Sequence, residues 1–428
     1  MKEADSLFEQ ALRFHAEERY EEAIATYDRI LQNKPSSHRA WNHRGLALAD
    51  LEFYGEALVS YDQALRYKAT YPEAWSNRGD CLAALRRYQK AIASFDKALE
   101  LEPTYFEAWN GRGVALLGME EYEEAIASFD KALAFAPDDC EAWNNRGIAL
   151  ISCDQFEEAL VNFDQALRLE PDYYQAYSNK ANVLLLLQRF EEAVSSFDQA
   201  LHLEPDDVGA WHNRGMALAN LKRYAEAFNS FDRALQLGFA TPEVWHNRGM
   251  MLGNLGHHQE AVASYDQALE QTDHLDIWNN RGLALLKLER HEEAIASFDK
   301  VLKLNPELHL TWDNRGLALT VLGRHEEAIA SFDEALQRKP DYYQAWNNRG
   351  IALYSLERYD DAIASYDRAL WLNPNIPQAW NNRGNALRRL GQRDEAITSY
   401  DHALDLNPNY ELAKQSREST LKELTTSN

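Results

Sequence analysis

The sequence predicts an all-α superhelical solenoid, and three observations lead there. The chain matches itself at a spacing of 34 residues in twelve copies, beginning at residues 4, 38, 72, 106, 140, 174, 208, 242, 275, 309, 343 and 377. Only the copy from 242 is short, by one residue, and the register covers 407 of 428 residues. Each copy holds two stretches whose apolar positions recur at i, i+3, i+4 and i+7, the spacing of a helix with one buried stripe. All twelve prolines fall outside these stretches, nine at position 32 of a copy and three (Pro72, Pro242, Pro377) at position 1. Helices of about 13 residues are unstable alone, so neighbouring copies must supply the packing.

The first stretch, helix A, has its apolar face at positions 4, 8, 10 and 11. Position 4 is Trp in ten copies, with Tyr177 and Leu7 as exceptions, and position 8 is Gly in ten, with Ala11 and Ala181 as exceptions. The second stretch, helix B, buries positions 17, 20, 21, 24, 27 and 28. Position 20 is always Ala, position 24 always Tyr or Phe, and position 28 always Leu. Gly and Ala lack bulk where helix axes approach, and the aromatics fill the space beside them. Pro at position 32 stops helix B and Pro at position 1 is tolerated in the first turn of the next helix A. Acid pairs such as Glu123-Glu124 and Asp360-Asp361 open helix B, where they favour the positive end of the helix dipole.

This pattern resembles the tetratricopeptide repeat, with its Trp-x-x-Leu-Gly, Ala-x-x-x-Phe and closing Pro signature. One departure recurs: position 7, Leu in the family, is Arg or Lys in copies two to twelve. The Trp-x-Asn-Arg-Gly form is similar to long bacterial and cyanobacterial repeat proteins. The resemblance implies a right-handed superhelix of helix-turn-helix repeats over residues 4–410 within a single solenoid, 1–428. Residues 411–424 are expected to form a helix that caps the last copy. The junctions Leu237-Gly238-Phe239-Ala240-Thr241 and Gln271-Thr272-Asp273-His274 lack the closing Pro and are expected to change the local pitch.

Forty-four Lys and Arg against 68 Asp and Glu give a net charge of −24. Such an acidic chain lacks the basic footprint that nucleic acid or an anionic membrane surface needs. No apolar run is long enough to span a bilayer, and Met1-Lys2-Glu3-Ala4-Asp5-Ser6 has no apolar signal region behind it. Three cysteines, Cys81, Cys140 and Cys153, show neither a disulfide framework nor a zinc spacing, so a reducing cytoplasm is the expected home. Phosphate-loop, dinucleotide, Ser-hydrolase and zinc-protease motifs are absent from the sequence. No catalytic residue, cofactor or metal is therefore expected. His258, His291 and His325 share position 17 in successive copies. Copies lie on the order of 20 Å apart, far beyond the ~2 Å of a metal–ligand bond, so these histidines are read as core fillers.

Two polar positions remain. Position 6 is Asn in nine copies: Asn77, Asn145, Asn179, Asn213, Asn247, Asn280, Asn314, Asn348 and Asn382, with His43 and Gly111 breaking the series. In the tetratricopeptide fold this face of helix A lines the concave groove. A primary amide carries donors and an acceptor, so a ladder of them suits holding the backbone of an extended peptide. The other reading is that each amide satisfies groups between adjacent A helices. The chaperone-tail clamp known in the family needs basic residues at positions 2, 5 and 6; the Asn of position 6 matches it, but of the basic residues only Arg39 at position 2 is present, so that mode is not expected. Position 7 (Arg44 to Arg383, with Lys180) is read as a structural staple to the Asp of position 25, as a bidentate pair. The Asp could belong to the same copy or the preceding one.

Copies seven and eight are expected to form the most selective stretch of the groove. There position 5 becomes His212 and His246 and position 9 becomes Met216 and Met250. Met adapts to apolar partners, and imidazole adds a charge near pH 6.5. The leading expectation is a non-catalytic protein-interaction scaffold or adaptor that binds an extended partner segment. The alternative is a self-assembling structural protein, a homo-oligomer or filament using Trp371 and the solenoid ends. An enzyme comes third, supported by no motif.

Overall fold

The structure is a computed structural model describing residues 2–426. It holds 25 α-helices and, among the described residues, no strand. They fall into two compact units that divide between Leu221 and Lys222. The first unit contains α1 (Lys2–Ala16), α2 (Tyr20–Asn33), α3 (His38–Asp50), α4 (Tyr54–Tyr67), α5 (Pro72–Ala84), α6 (Tyr88–Leu101), α7 (Phe106–Leu117), α8 (Tyr122–Phe135), α9 (Cys140–Ser152), α10 (Phe156–Leu169), α11 (Tyr174–Leu186), α12 (Phe190–Leu203) and α13 (Val208–Asn220). The second contains α14 (Tyr224–Gln236), α15 (Pro242–Asn254), α16 (His258–Leu269), α17 (Leu275–Lys287), α18 (His291–Leu304), α19 (His309–Val321), α20 (His325–Arg338), α21 (Tyr343–Ser355), α22 (Tyr359–Leu372), α23 (Pro377–Arg389), α24 (Arg393–Leu406) and α25 (Glu411–Thr426).

Within each unit odd helices are the A helices and even helices the B helices, and each packs on its chain neighbours. Successive A helices also touch one another directly, as α5 does α7 and α19 does α21, whereas successive B helices do not to comparable extent. A stack drawn together on one side curves toward that side. The A helices therefore line the inner, concave face of each unit.

The close approach of A and B rests on position 8. A Cβ placed on Gly45 or Gly113 would lie within 2.6 Å of the Tyr61 or Phe129 ring. The position-24 rings are in turn fully buried, from Tyr27 through Phe95 and Phe298 to Tyr400. The turn from A to B is made by one residue at position 15 in the left-handed region, for example Glu52 at φ 62° and Gly256 at φ 83°. Its successor's N–H returns to the carbonyl of position 11, as Phe53 does to Leu48 at 2.8 Å, which caps helix A. The Trp of position 4 fastens the preceding loop by donating its indole N–H to the position-32 carbonyl, as in Trp41 to Pro35 at 2.8 Å.

Where the closing Pro is missing, other groups take over. Gly238 ends α14 at φ 93°, and the Phe239 N–H reaches the Ala234 carbonyl at 3.0 Å. The Gln271 side chain donates to the Ala240 carbonyl at 3.0 Å, which ties the two irregular junctions together. The last helix, α25, runs two residues beyond the expected 424. It acts as a further A helix, with Ala413 fully buried and Arg417 donating to Asp401 at 2.5 Å.

Candidate groove site

The staples settle first. Each position-7 cation bonds the Asp of the preceding copy, never its own: Arg44 to Asp28 at 2.7 Å, Arg112 to Asp96 at 2.9 Å, Arg281 to Asp266 at 2.6 Å and Arg383 to Asp367 at 2.5 Å. The bond is not the bidentate pair expected. Nε meets one carboxylate oxygen, while Nη1 donates to the buried Ser of position 23 in the same copy, as Arg112 does to Ser128 at 2.7 Å. That Ser passes its own proton back to the carbonyl four residues earlier, Ser128 to Glu124 at 2.9 Å. One guanidinium thus joins the B helices of two successive copies through the A helix between them. The geometry also explains Lys180, which makes the single contact to Asp164 at 2.6 Å and forgoes the second.

The position-6 amides form a zipper along the A helices. Asn77 donates to Asn42 at 3.1 Å, Asn145 to Asn110 at 3.2 Å, Asn179 to Asn144 at 2.9 Å and Asn348 to Asp313 at 3.1 Å, each acceptor being position 5 of the preceding copy. Asn280 meets His246 Nε2 at 2.9 Å, and Asn213 reaches Asn182 instead, at 2.8 Å. Asn314 and Asn382 are half-buried in the same row, and Asn247 is 5% exposed. For these bonded pairs the reading as contacts between A helices holds, and since each donor amide spends one of its two N–H groups on the preceding copy, N–H as well as oxygen is left to a partner.

Besides a cavity of about 470 Å³ beside Phe8, Glu9, Leu12 and Arg39 at the start of the first unit, two cavities open on the A-helix face. One, of about 640 Å³, lies in the first unit and is lined by Asp80, Ala83 and Ala84 of α5, Tyr88 of α6, five residues of α7 between Phe106 and Val114, and Asp139 and Glu141 at the start of α9. The other, of about 320 Å³, lies in the second unit against Met250, Gly253, Asn254, His258, Tyr265, Asn280, Leu283, Ala284 and Lys287. The structure therefore brings Met250 and Asn280 together, with His246 bonded to that amide. His212 and Met216 stand on α13, in the first unit.

Family models of the tetratricopeptide repeat match residues 8–58, 187–242 and 314–375, residues 72–105, 106–139, 140–173, 275–308 and 377–410, and residues 242–274. The chain belongs to the tetratricopeptide repeat family. Its coarse role is that of a protein-interaction scaffold. No curated protein matches the chain. Among solved structures it is similar to the Cut9–Hcn1 hetero-tetramer of the APC/C, at 14% identity over 98% of this chain and 96% of that one, TM-score 0.43. It is similar to a tetratricopeptide repeat protein from Parabacteroides merdae, at 17% identity over 59% and 100%, TM-score 0.45. It is also similar to YrrB, a repeat protein with an unusual peptide-binding site, at 24% identity over 42% and 92%, TM-score 0.36.

Against the regular tetratricopeptide pattern the deviations stand out. The His246 charge expected near pH 6.5 is not supported, because burial pushes its pKa down and the ring stays neutral against Asn280. Among the described residues no group of three His, Cys, Asp or Glu side chains is placed to hold a metal ion. His291 and His325 keep a buried Nδ1 without a partner, as core fillers do. No described helix is long and apolar enough to cross a membrane. Sequence reasoning missed two elements. The Ser of position 23 recurs in ten of twelve copies, a signal that was there to be read as the second half of each staple. The acidic cavity was announced by Asp80 in a mostly aliphatic row and by Gly111 where the amide ladder breaks.

Proposed function

We propose that the chain is a non-catalytic scaffold that holds an extended segment of a partner protein along the A-helix face. The observation that carries this is the set of open cavities on that face, found in both units, two of them built from positions 6, 9, 12 and 13 of successive A helices. The framework positions are occupied by contacts within the fold: the staples tie copies together, the position-24 rings fill the core and the indoles hold the loops. The remaining groove positions vary from copy to copy, as a surface that reads a partner's side chains requires. Backbone contact with the segment falls to the amides of the asparagine row, whose second N–H groups can donate and whose unspent oxygens can accept whatever the partner's sequence.

A photo-cross-linking amino acid at Val114 or Leu283, each 38% exposed on an A helix, tests the reading against the same label at Val161 or Trp371 on the B helices, 62% and 70% exposed. Capture of one partner from the A-helix positions only is expected. Capture solely from the B-helix positions, or sedimentation as a filament with the B-helix labels joining copies of the chain, would replace groove binding by self-assembly.

A further inference from the structure

The cavity of the second unit holds a buried hydroxyl with nothing to bond. Tyr265 fills position 24 of copy eight and is 3% exposed. Its ring lies along α15, with Cε1 2.5 Å from where Gly249 would carry a Cβ and Oη 3.8 Å from the same point on Gly253. The hydroxyl therefore emerges beside Gly253, and both residues line the cavity of about 320 Å³. Among the described residues no group hydrogen-bonds it, and burial pushes its pKa up, so it stays a donor. The equivalent Tyr400 donates to Asn385 Oδ1, at position 9 of its own copy, at 2.9 Å. Copy eight has Met250 at that position, and Gly253 where copy twelve has Arg388. One change takes away the acceptor and the other takes away the cover.

Two more donors face the same space. Asn280 meets His246 Nε2 with one N–H at 2.9 Å, which leaves the second N–H of that amide. Lys287 stands about two turns further along α17, exposed, and among the described residues it forms no ion pair. No Asp or Glu lines the cavity, and Met250, Leu283 and Ala284 supply apolar walls.

We infer that this cavity receives a glutamate side chain of the extended partner segment. The inference rests on the groove reading above and names what one part of that groove selects. A carboxylate accepts from several donors at once, so it takes the Tyr265 O–H, the Asn280 N–H and the Lys287 ammonium together. Each alternative leaves something unmade. An alkyl side chain would seal the hydroxyl deeper without an acceptor, which costs free energy. A neutral amide would leave Lys287 uncompensated, and a lysine or arginine would bring a donor to three donors. Glutamate suits the space better than aspartate, because its longer stem lies on Met250, Leu283 and Ala284 while the carboxylate reaches the hydroxyl.

The probe is a set of ten-residue peptides, randomised among uncharged residues, amidated at the C-terminus and carrying one fixed Glu, Gln, Leu or Lys, bound to the full chain. The Glu set is expected to be retained at least ~10-fold over the Gln and Leu sets, the scale of a charged hydrogen bond. Tyr265→Phe and Lys287→Gln should each remove most of that ratio. Tyr366→Phe, the same change in copy eleven and outside the cavity, should leave it. Position 24 is already Phe in seven copies, and Tyr265→Phe should melt no lower than the parent, because its hydroxyl has no partner to lose. A lower melting temperature would show that the hydroxyl is spent inside the fold and would overturn the inference. So would a Leu or Gln set that binds as well as the Glu set, a Glu preference that survives Tyr265→Phe, or one that Tyr366→Phe also removes. Retention of the peptides only when their C-terminus is left free would overturn it too, giving the site to a chain-end carboxylate. Binding of no peptide at all, amidated or free, would overturn the groove reading itself.

Discussion

The cavity of α5–α9 and the cavity of α15–α17 are two fillings of one set of slots. Both open where a glycine stands in an A helix, Gly111 at position 6 and Gly253 at position 12. The first collects carboxylates with no cation near them. The second collects Met250, Leu283 and Tyr265 beside a neutral His246–Asn280 pair and Lys287. The staples beneath are the same: Arg112–Asp96–Ser128 under the first and Arg281–Asp266–Ser297 under the second. The comparison teaches that the framework and the A-helix slots are separable. Invariant positions hold the copies together, and the A-helix slots between them can change chemistry without disturbing that.

The largest expected effect comes from treating the two glycines alike. Gly111→Asn restores the ladder pattern in sequence, yet its Cβ meets the Phe95 ring at 2.6 Å, so it should cost about 1–3 kcal/mol. Gly253→Ala has its nearest neighbour, Tyr265 Oη, at 3.8 Å, and should stabilise by about 0.5–1 kcal/mol through helix propensity. Chemical denaturation of both variants decides the point, and a destabilised Gly253→Ala would show that its cavity is part of the framework.

The staples should respond equally at both places. Arg112→Leu and Arg281→Leu each leave a buried Ser and an Asp short of a donor and should cost about 1–2 kcal/mol. Double-mutant cycles should show coupling to Asp96 and Asp266, in the preceding copies, and none to Asp130 and Asp299. Coupling to the latter pair would reverse the register.

The two cavities should also titrate with opposite sign. Asp80 is held up at about 7 in the folded chain against about 4 unfolded, so the fold holds a proton there that the unfolded chain has lost. Its ionisation therefore weakens the fold progressively from pH 4 to 7, and Asp80→Asn should gain stability over the parent as pH rises, with no gain near pH 4. His246 is pushed down by burial from about 6.5 unfolded, so its neutral form stabilises the fold above that value. The benefit is lost as pH falls below 6.5 toward the depressed folded value, and His246→Gln should narrow that loss. Thermal melts from pH 4 to 8 measure both, and parallel slopes for the two variants would refute the contrast.

The smallest effect is expected at the A–B turns, which serve both cavities alike. Glu120 and Glu289 hold φ at 64° and 58°, where a side chain is strained and glycine is not. Replacement of either by Gly should stabilise by about 0.5 kcal/mol, and unequal gains would mean that the two turns are not equivalent.

By itself the sequence determined the helices and their order. A 34-residue period with Ala23 to Ala396 at position 20 and the prolines confined to positions 32 and 1 leaves the chain no other regular way to bury its stripes. It also marked the polar residues that had to find partners, because a cation beside a buried Trp stripe needs a carboxylate. Which partner they found was decided only in the tertiary structure. Two Asp residues lie 16 and 18 positions from Arg112 on either side, Asp96 and Asp130, and the offset between stacked helix pairs alone selects Asp96. The same stacking turned the asparagine row sideways onto the preceding helix, since adjacent A helices come close enough for one amide to meet the next. It also closed four separate acidic residues around one space: Asp80, Glu107, Asp139 and Glu141 come from three copies, and only the packing of α5, α7 and α9 makes them neighbours.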